Sequence, residues 1–143
     1  MVKKQHKLEY NLDFDFDIIG ISSHENDYRL SWALNSNLNF NFIRTQDIEI
    51  KDNLSGEEQS FIKYTFIDDD TLNLYHLISN RCDNGFLLEE YRNIDYILIV
   101  RGEYTNHFIE HLINSIKSIA IITLAFKIDV ENLKKKTKTK LIF

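Results

Sequence analysis

The segment His107-Phe108-Ile109-Glu110-His111 carries the sharpest chemical signal in the chain. It fits the H-x-x-E-H pattern of inverted zinc peptidases, in which two histidines one helical turn apart bind zinc and the glutamate activates a water. Its setting argues against that chemistry. Phe108, Ile109, Leu112, Ile113 and Ile116 recur at helical spacing, and at about 100° per residue the apolar stripe centres near Leu112 and Ile116. His107 and His111 then face solvent, whereas a catalytic zinc needs its histidines in a cleft with a third protein ligand nearby. The pattern reads as a solvated histidine face, and no metal is expected.

Other reactive groups give weaker signals. His24 reads as a surface or capping residue, and His76, inside a β-rich run, as a partly buried hydrogen-bonding side chain. Cys82, the only cysteine, reads as a small hydrophobe or a surface thiol near a turn, and nothing in the spacing favours pairing it with His76. Acids cluster at Asp13/Asp15/Asp17, Asp68–Asp70 and Glu89/Glu90. General acid–base work needs environments that drive two carboxyl pKa values apart, and alternating aspartates on a wet strand face do not supply them. Asp68–Asp70 lacks the glycine and terminal glutamate of a calcium loop. There is no Gly-rich phosphate loop and no G-x-S-x-G. No catalytic set and no cofactor is expected, and an enzyme is the weaker reading.

The elements that would position these groups follow from periodicity. Leu8, Tyr10, Leu12, Phe14 and Phe16 alternate with polar residues, predicting a strand within 7–22 whose aspartate face is wet. Ser22-Ser23-His24-Glu25 offers a capping box, predicting a helix over about 23–36 with Leu30, Ala33, Leu34 and Leu38 on its apolar stripe. Leu38, Phe40 and Phe42 return to a period of two, with Ile48 and Ile50 following after a bend. Phe61–Ile67 and Leu72–Ile78 are β-rich runs joined by Asp68-Asp69-Asp70, and Asp83-Asn84-Gly85 is a second turn. This middle third reads as an antiparallel meander. Tyr96–Val100 is continuously apolar, the pattern of a strand buried on both faces. A helix over about 104–118 and a strand over Ile121–Ile128 then complete a possible βαβ crossover. The helical stripe also extends through Ile119 to Leu124, so a longer helix is the alternative. The expected fold class is α+β, with a largely antiparallel sheet and two main helices.

The chain has 143 residues with 43% hydrophobic and 27% charged, ordinary values for one globular domain spanning 1–143. A single thiol rules out an internal disulfide, and neither a signal peptide nor a long apolar span is evident, so a cytoplasmic location and no membrane are expected. Of 17 Lys and Arg, eight sit at the two ends, while all 22 acids lie between residues 8 and 133. The lysine-rich C-terminal tail, 134–143, could meet phosphates, but the acidic body argues against nucleic acid as a partner. Phe40, Phe42, Tyr64 and Phe66 read as packing rather than as base-stacking platforms.

At Leu88-Glu89-Glu90-Tyr91-Arg92-Asn93-Ile94-Asp95-Tyr96 the chain resembles the IPExxxVDY family, small bacterial proteins found mainly in Bacteroidota. Leu88 stands at the Ile, Glu90 at the Glu and Ile94-Asp95-Tyr96 at the Val-Asp-Tyr, while Glu89 replaces the proline, so a rigid turn is not essential there. The stretch Ile19–Leu30, Trp32-Ala33-Leu34-Asn35 and the ending Leu141-Ile142-Phe143 are also similar to the family. The resemblance implies one domain and brings no activity. It draws attention to a candidate polar site, Ser22, Ser23, His24, Glu25 and Arg29 with Glu90 and Asp95. A helix start can bind an anion, but Ser22 and Glu25 are given capping roles and Asp27 opposes an anion. The expected function is a non-catalytic protein-interaction or regulatory domain, binding an unknown protein partner through a sheet edge or through Leu141–Phe143. The alternatives are a small enzyme built on Ser23, His24, Glu25 and Arg29, and weak nucleic-acid binding through the lysine tail.

Overall fold

The continuously apolar run Tyr96–Val100 becomes the centre of the architecture. In the computed structural model, which describes residues 15–52 and 54–143, it lies in strand β7 (Tyr96–Arg101) of a six-stranded antiparallel sheet. The strands are β1 (Asp17–Ser23), β2 (Ile43–Lys51), β3 (Glu58–Ile67), β4 (Leu74–Ser79), β7 and β8 (Ile122–Ile128), in the order β2-β3-β4-β7-β1-β8. A hairpin of β5 (Arg81–Cys82) and β6 (Gly85–Phe86) stands apart from it, turned by Asp83-Asn84. Side chains alternate across a strand, so β7 splits its residues between two cores. Tyr96, Leu98 and Val100 join one apolar cluster, and Ile97 and Ile99 the other. Each such residue, fully buried, contributes roughly 1.5–3 kcal/mol.

The first core lies under two helices, α1 (Asp27–Leu38) and α2 (Asn106–Lys117). Leu30, Ala33 and Leu34 of α1 and Ile109, Leu112 and Ile116 of α2 pack on Ile19, Ile21, Leu77 and Leu98. The second core lies under the segment 80–95 and the chain end, which includes the short helix α3 (Lys135–Lys140). Leu87, Leu88, Ile94, Leu133 and Leu141 there cover Ile18, Ile78, Ile97, Ile99 and Ile128.

The α+β class, the antiparallel meander β2-β3-β4 and the two main helices match expectation. The crossover is present in split form. Strands β7 and β8 are each antiparallel to β1, which lies between them, so they run the same way with α2 connecting them. Helix α2 ends at Lys117, and a turn in which the Ile119 amide donates to the Ile116 carbonyl leads into β8, so the longer helix does not form.

Three expectations need correction, and part of a fourth lies outside the described residues. The strand placed within 7–22 is described only from Asp15, and its earlier residues, Asp13 included, lie outside the described residues. Its aspartate face is not wet at Asp17, which is half-buried and 3.4 Å from Lys127, because β1 has neighbours on both edges and cover on both faces. The capping box does not form. Helix α1 starts at Asp27, and the Asn26 side chain accepts from the Arg29 amide at 2.9 Å, whereas Ser22 and Ser23 belong to β1. Phe40 and Phe42 precede β2 rather than belonging to it. Asn39 closes α1 in the left-handed conformation (φ 59°), and Asn35 then accepts from the Phe42 amide at 2.8 Å and donates to its carbonyl at 3.2 Å, pinning the loop. The two rings still pack as expected, against Phe66 and Tyr75.

Candidate functional site

His107, Glu110 and His111 are exposed on α2, and no group of three His, Cys, Asp or Glu among the described residues could hold a metal ion. Cys82 and His76 engage different neighbours. The thiol donates to Asn84 Oδ1 at 3.2 Å, and His76 Nδ1 lies 3.1 Å from the Thr65 hydroxyl with its ring against Phe143. Burial, reinforced by Lys63 and Arg101, pushes the His76 pKa down to about 4. The imidazole is thus neutral near pH 7, and two cations sit near it where a base would need an anionic partner to stabilise its protonated form.

The polar residues singled out from the sequence fall into two groups. The first sits where the end of β1 meets the start of β7. Asp95 accepts from the Ser23 amide at 3.0 Å and pairs with Arg81 at 3.0 Å, while its own amide donates to the Ile21 carbonyl. The Ser22 hydroxyl donates to the Asn93 carbonyl at 3.2 Å, and the buried Ser23 hydroxyl donates to the Ile121 carbonyl at 2.8 Å and accepts from the Glu25 amide. The Tyr96 hydroxyl donates to the Glu25 carbonyl at 2.7 Å, and the Glu25 carboxylate pairs with Arg29. Burial, reinforced by the nearby acids Asp27 and Asp95, raises the Tyr96 pKa to about 12, which keeps that phenol a donor. His24 is exposed. One element start is thereby stitched to another, and most of the polar atoms face the backbone rather than a cleft.

The second group contains Glu90, which does not join the first. Its carboxylate accepts from the Lys134 amide at 2.7 Å and from the Thr137 hydroxyl at 2.8 Å, and so caps the entry to α3. Burial opposes the charge, but these two hydrogen bonds prevail and hold the carboxyl below its usual pKa. The lysine tail is folded around this contact. Thr137 and Leu141 are buried, and Lys140 Nζ, its side chain 8% exposed, donates to the Phe86 carbonyl at 3.1 Å. Leu141 is part of the core, so Leu141–Phe143 does not form a free strand.

Sequence reasoning missed Asn80, which is fully buried and organises the cover segment. Its Nδ2 donates to the carbonyls of Tyr91 (2.9 Å) and Ile94 (3.0 Å), and its Oδ1 accepts from the Leu88 amide at 2.7 Å. An asparagine at a strand end followed by a turn is too common a pattern to mark such a role.

A cleft of about 390 Å³ opens between β2 and the chain end, lined by Ile48, Ile50, Lys63, Lys140, Ile142 and Phe143. Its cations are already engaged, Lys140 with backbone carbonyls and Lys63 over the Phe143 ring at 4.9 Å. No helix among the described residues is long and apolar enough to cross a membrane. Comparison of the chain with protein-family models, with curated proteins and with solved structures finds no match.

Proposed function

We propose that this chain is a non-catalytic protein-interaction domain that binds through the outer edge of β8. The observation that carries the reading is a contrast between the two edges of the sheet. Edge strand β2 is blunted, with a register shift between Thr45 and Ile48 and with Arg44, Asp47, Glu49 and Lys51 along it. Such bulges and charges keep other strands away. Edge strand β8, Ile-Thr-Leu-Ala-Phe-Lys-Ile, also shifts register, between Ile122 and Leu124 at its start, but it pairs regularly with β1 from Leu124 to Ile128 and has one charge, Lys127, which is held by Asp17. Among the described residues no strand pairs with the outer row of its backbone groups, and such a row is suited to adding a partner strand. The internal engagement of Ser22, Ser23, Glu25, Glu90 and Asp95 supports the same reading.

We also propose membership of the IPExxxVDY family, on the residues quoted above. Glu90, Asp95 and Tyr96 each tie separate parts of the chain together, and Ile94 fills the second core, roles that would account for such a signature without catalysis.

The interaction reading is tested by quantitative recovery of tagged protein from its native cell, beside a Leu124→Lys variant that places a charge on the β8 edge. A partner retained by the parent and lost from the variant is the expected result. A strict monomer without partner in both, together with a turnover activity, would overturn it.

A further inference from the structure

On the side of the sheet that faces the second core, register partners line up in rows across the strands. One row runs from β1 to β2 through Ile18, Ile99, His76, Thr65 and Ile43. The next row outward holds Arg101, Leu74 and Ile67. Phe16 stands at its β1 end, with the Arg101 guanidinium 4.4 Å over its ring.

The far corner of these rows is apolar and open. Ile43 is 62% exposed and Ile67 57% exposed, with half-buried Leu74 beside Ile67. Neither isoleucine belongs to a core cluster. Phe143 packs on His76 and beneath Lys63, which covers neighbouring ground but leaves this corner exposed. Adjoining exposed apolar side chains mark a contact surface more often than scattered single ones do.

We infer that the occupant of this corner is the chain's own segment 8–14, laid across the strands. Fourteen residues precede Asp15, outside the described residues, and they join the sheet at Phe16, the β1 end of the outer row. Leu8, Tyr10, Leu12 and Phe14 alternate with Glu9, Asn11 and Asp13, so an extended chain has one apolar side here, in step with Phe16. Prolonging β1 straight on does not bury that side. Strand β8 ends at Ile128, opposite Ile18, and β7 ends at Arg101, one residue beyond the partner of Asp17. Among the described residues, no strand flanks the positions before Phe16.

Length agrees as well. Strands in a sheet lie about 4.8 Å apart, which puts β3 about 14 Å and β2 about 19 Å from β1. An extended chain advances about 3.3 Å per residue, so Leu12 arrives about 13 Å and Tyr10 about 20 Å from Phe16. Leu12 then meets Ile67, Tyr10 meets Ile43 and Phe14 lies over Leu74. Glu9, Asn11 and Asp13 are left facing water.

The test is disulfide trapping in the full chain, with Cys82→Ser removing the only native thiol. Leu12→Cys is combined with Ile67→Cys, or with Lys127→Cys as the control. Lys127 is exposed on the opposite face as the register partner of Ile19, roughly 11 Å from Phe16 and so no farther than Ile67. Under mild oxidation the Ile67 pair is expected to close within one chain about tenfold faster than the Lys127 pair. Docking raises the effective concentration of one thiol at the other beyond what the tether alone supplies. Far-ultraviolet circular dichroism establishes that each variant is folded.

Equal rates would mean an undocked segment, and a faster Lys127 pair would mean the opposite face. Disulfides formed mainly between chains would make a second copy the occupant. Each of these results overturns the inference. A second readout needs no cross-link. Leu12→Asp should release the segment and raise the fluorescence of an apolar dye, and adding Ile67→Asp should reverse the rise. A chain whose dye binding is unchanged by Leu12→Asp would also overturn the inference. None of these outcomes bears on the β8 edge, which Leu124→Lys tests separately.

Discussion

At Asn80, one amide side chain meets three backbone groups inside the protein; its removal strands the Leu88 amide and the Ile94 carbonyl, while the Tyr91 carbonyl keeps the Ile94 amide. Unpaired buried groups cost about 1–3 kcal/mol each, with partial relief from relaxation. Asn80→Ala is therefore expected to destabilise by on the order of 3 kcal/mol in urea unfolding, and Asn80→Asp comparably, because a carboxylate cannot donate to Tyr91 and Ile94. Asp95→Ala strands the Ser23 amide and should cost about 1–3 kcal/mol. Arg81→Ala removes a half-exposed ion pair together with a long contact to the Arg92 carbonyl and one over the Phe86 ring, and should cost about 1 kcal/mol or less. Equal effects for Asp95 and Arg81 would mean that the ion pair, not the amide contact, matters. Trp32, 63% exposed on α1, gives the opposite case, and Trp32→Ala should stay within about 0.5 kcal/mol of the parent.

Among elements, α3 is too short to be stable alone, since isolated helices below about 12–15 residues are marginal. It persists because Glu90 caps its entry, Leu141 is buried and Lys140 reaches the Phe86 carbonyl. Glu90→Gln keeps the shape and removes the charge. Its expected signature is faster hydrogen exchange at the amides of residues 134–141, with exchange in β7 unchanged. Uniform acceleration across the sheet would show that α3 and the sheet open as one unit.

The same elements show what the sequence made legible. Helix α2 and the strands of the meander were readable because their periodicity and turn residues suffice locally. The start of α1 was not, because Ser22 and Asn26 are both good caps and the choice was made by Asp95 and β8, which draw Ser22 and Ser23 into the sheet. The pinning of Phe42 by Asn35 was hidden for the same reason, as it is a contact that no period announces. In the tail, five lysines masked the buried Thr137 and Leu141, which share the buried side of α3 and its end. Of the candidate site, Ser23 meets Asp95, Ser22 meets the neighbouring Asn93 carbonyl and Glu25 joins through Ser23, but Glu90 lies with α3. Sequence distance could not separate them.

For the molecule as a whole, the buried neutral His76 links stability to pH. Its folded pKa, about 4, lies below the usual 6.5, so between those values the unfolded chain binds a proton that the folded one does not. Stability must then fall as pH drops from about 6.5 toward about 4, by roughly 1.4 kcal/mol per pH unit at most. Glu90 adds to the loss below its usual range, since a depressed carboxyl stabilises only while ionised. Urea midpoints at pH 7, 6 and 5 should decline, and the decline between pH 6 and 5 should be shallower in His76→Gln. A slope unchanged by that substitution would exclude His76 as its source.

The insertion of β1 between β7 and β8 also governs the order in which this protein can be made. Ile21 pairs with Tyr96 and Ile18 with Ile128, so a strand that leaves the ribosome early waits for both its neighbours until the last third of the chain has emerged. Until then both of its edges stand open, and pairings so distant in sequence form late and slowly. Refolding in the millisecond-to-second range follows, with no tens-of-seconds phase, because the sequence contains no proline to isomerise. The apolar strand Ile18-Ile19-Gly20-Ile21 is then the nascent chain's point of greatest exposure, and the place where a chaperone would be expected to hold it.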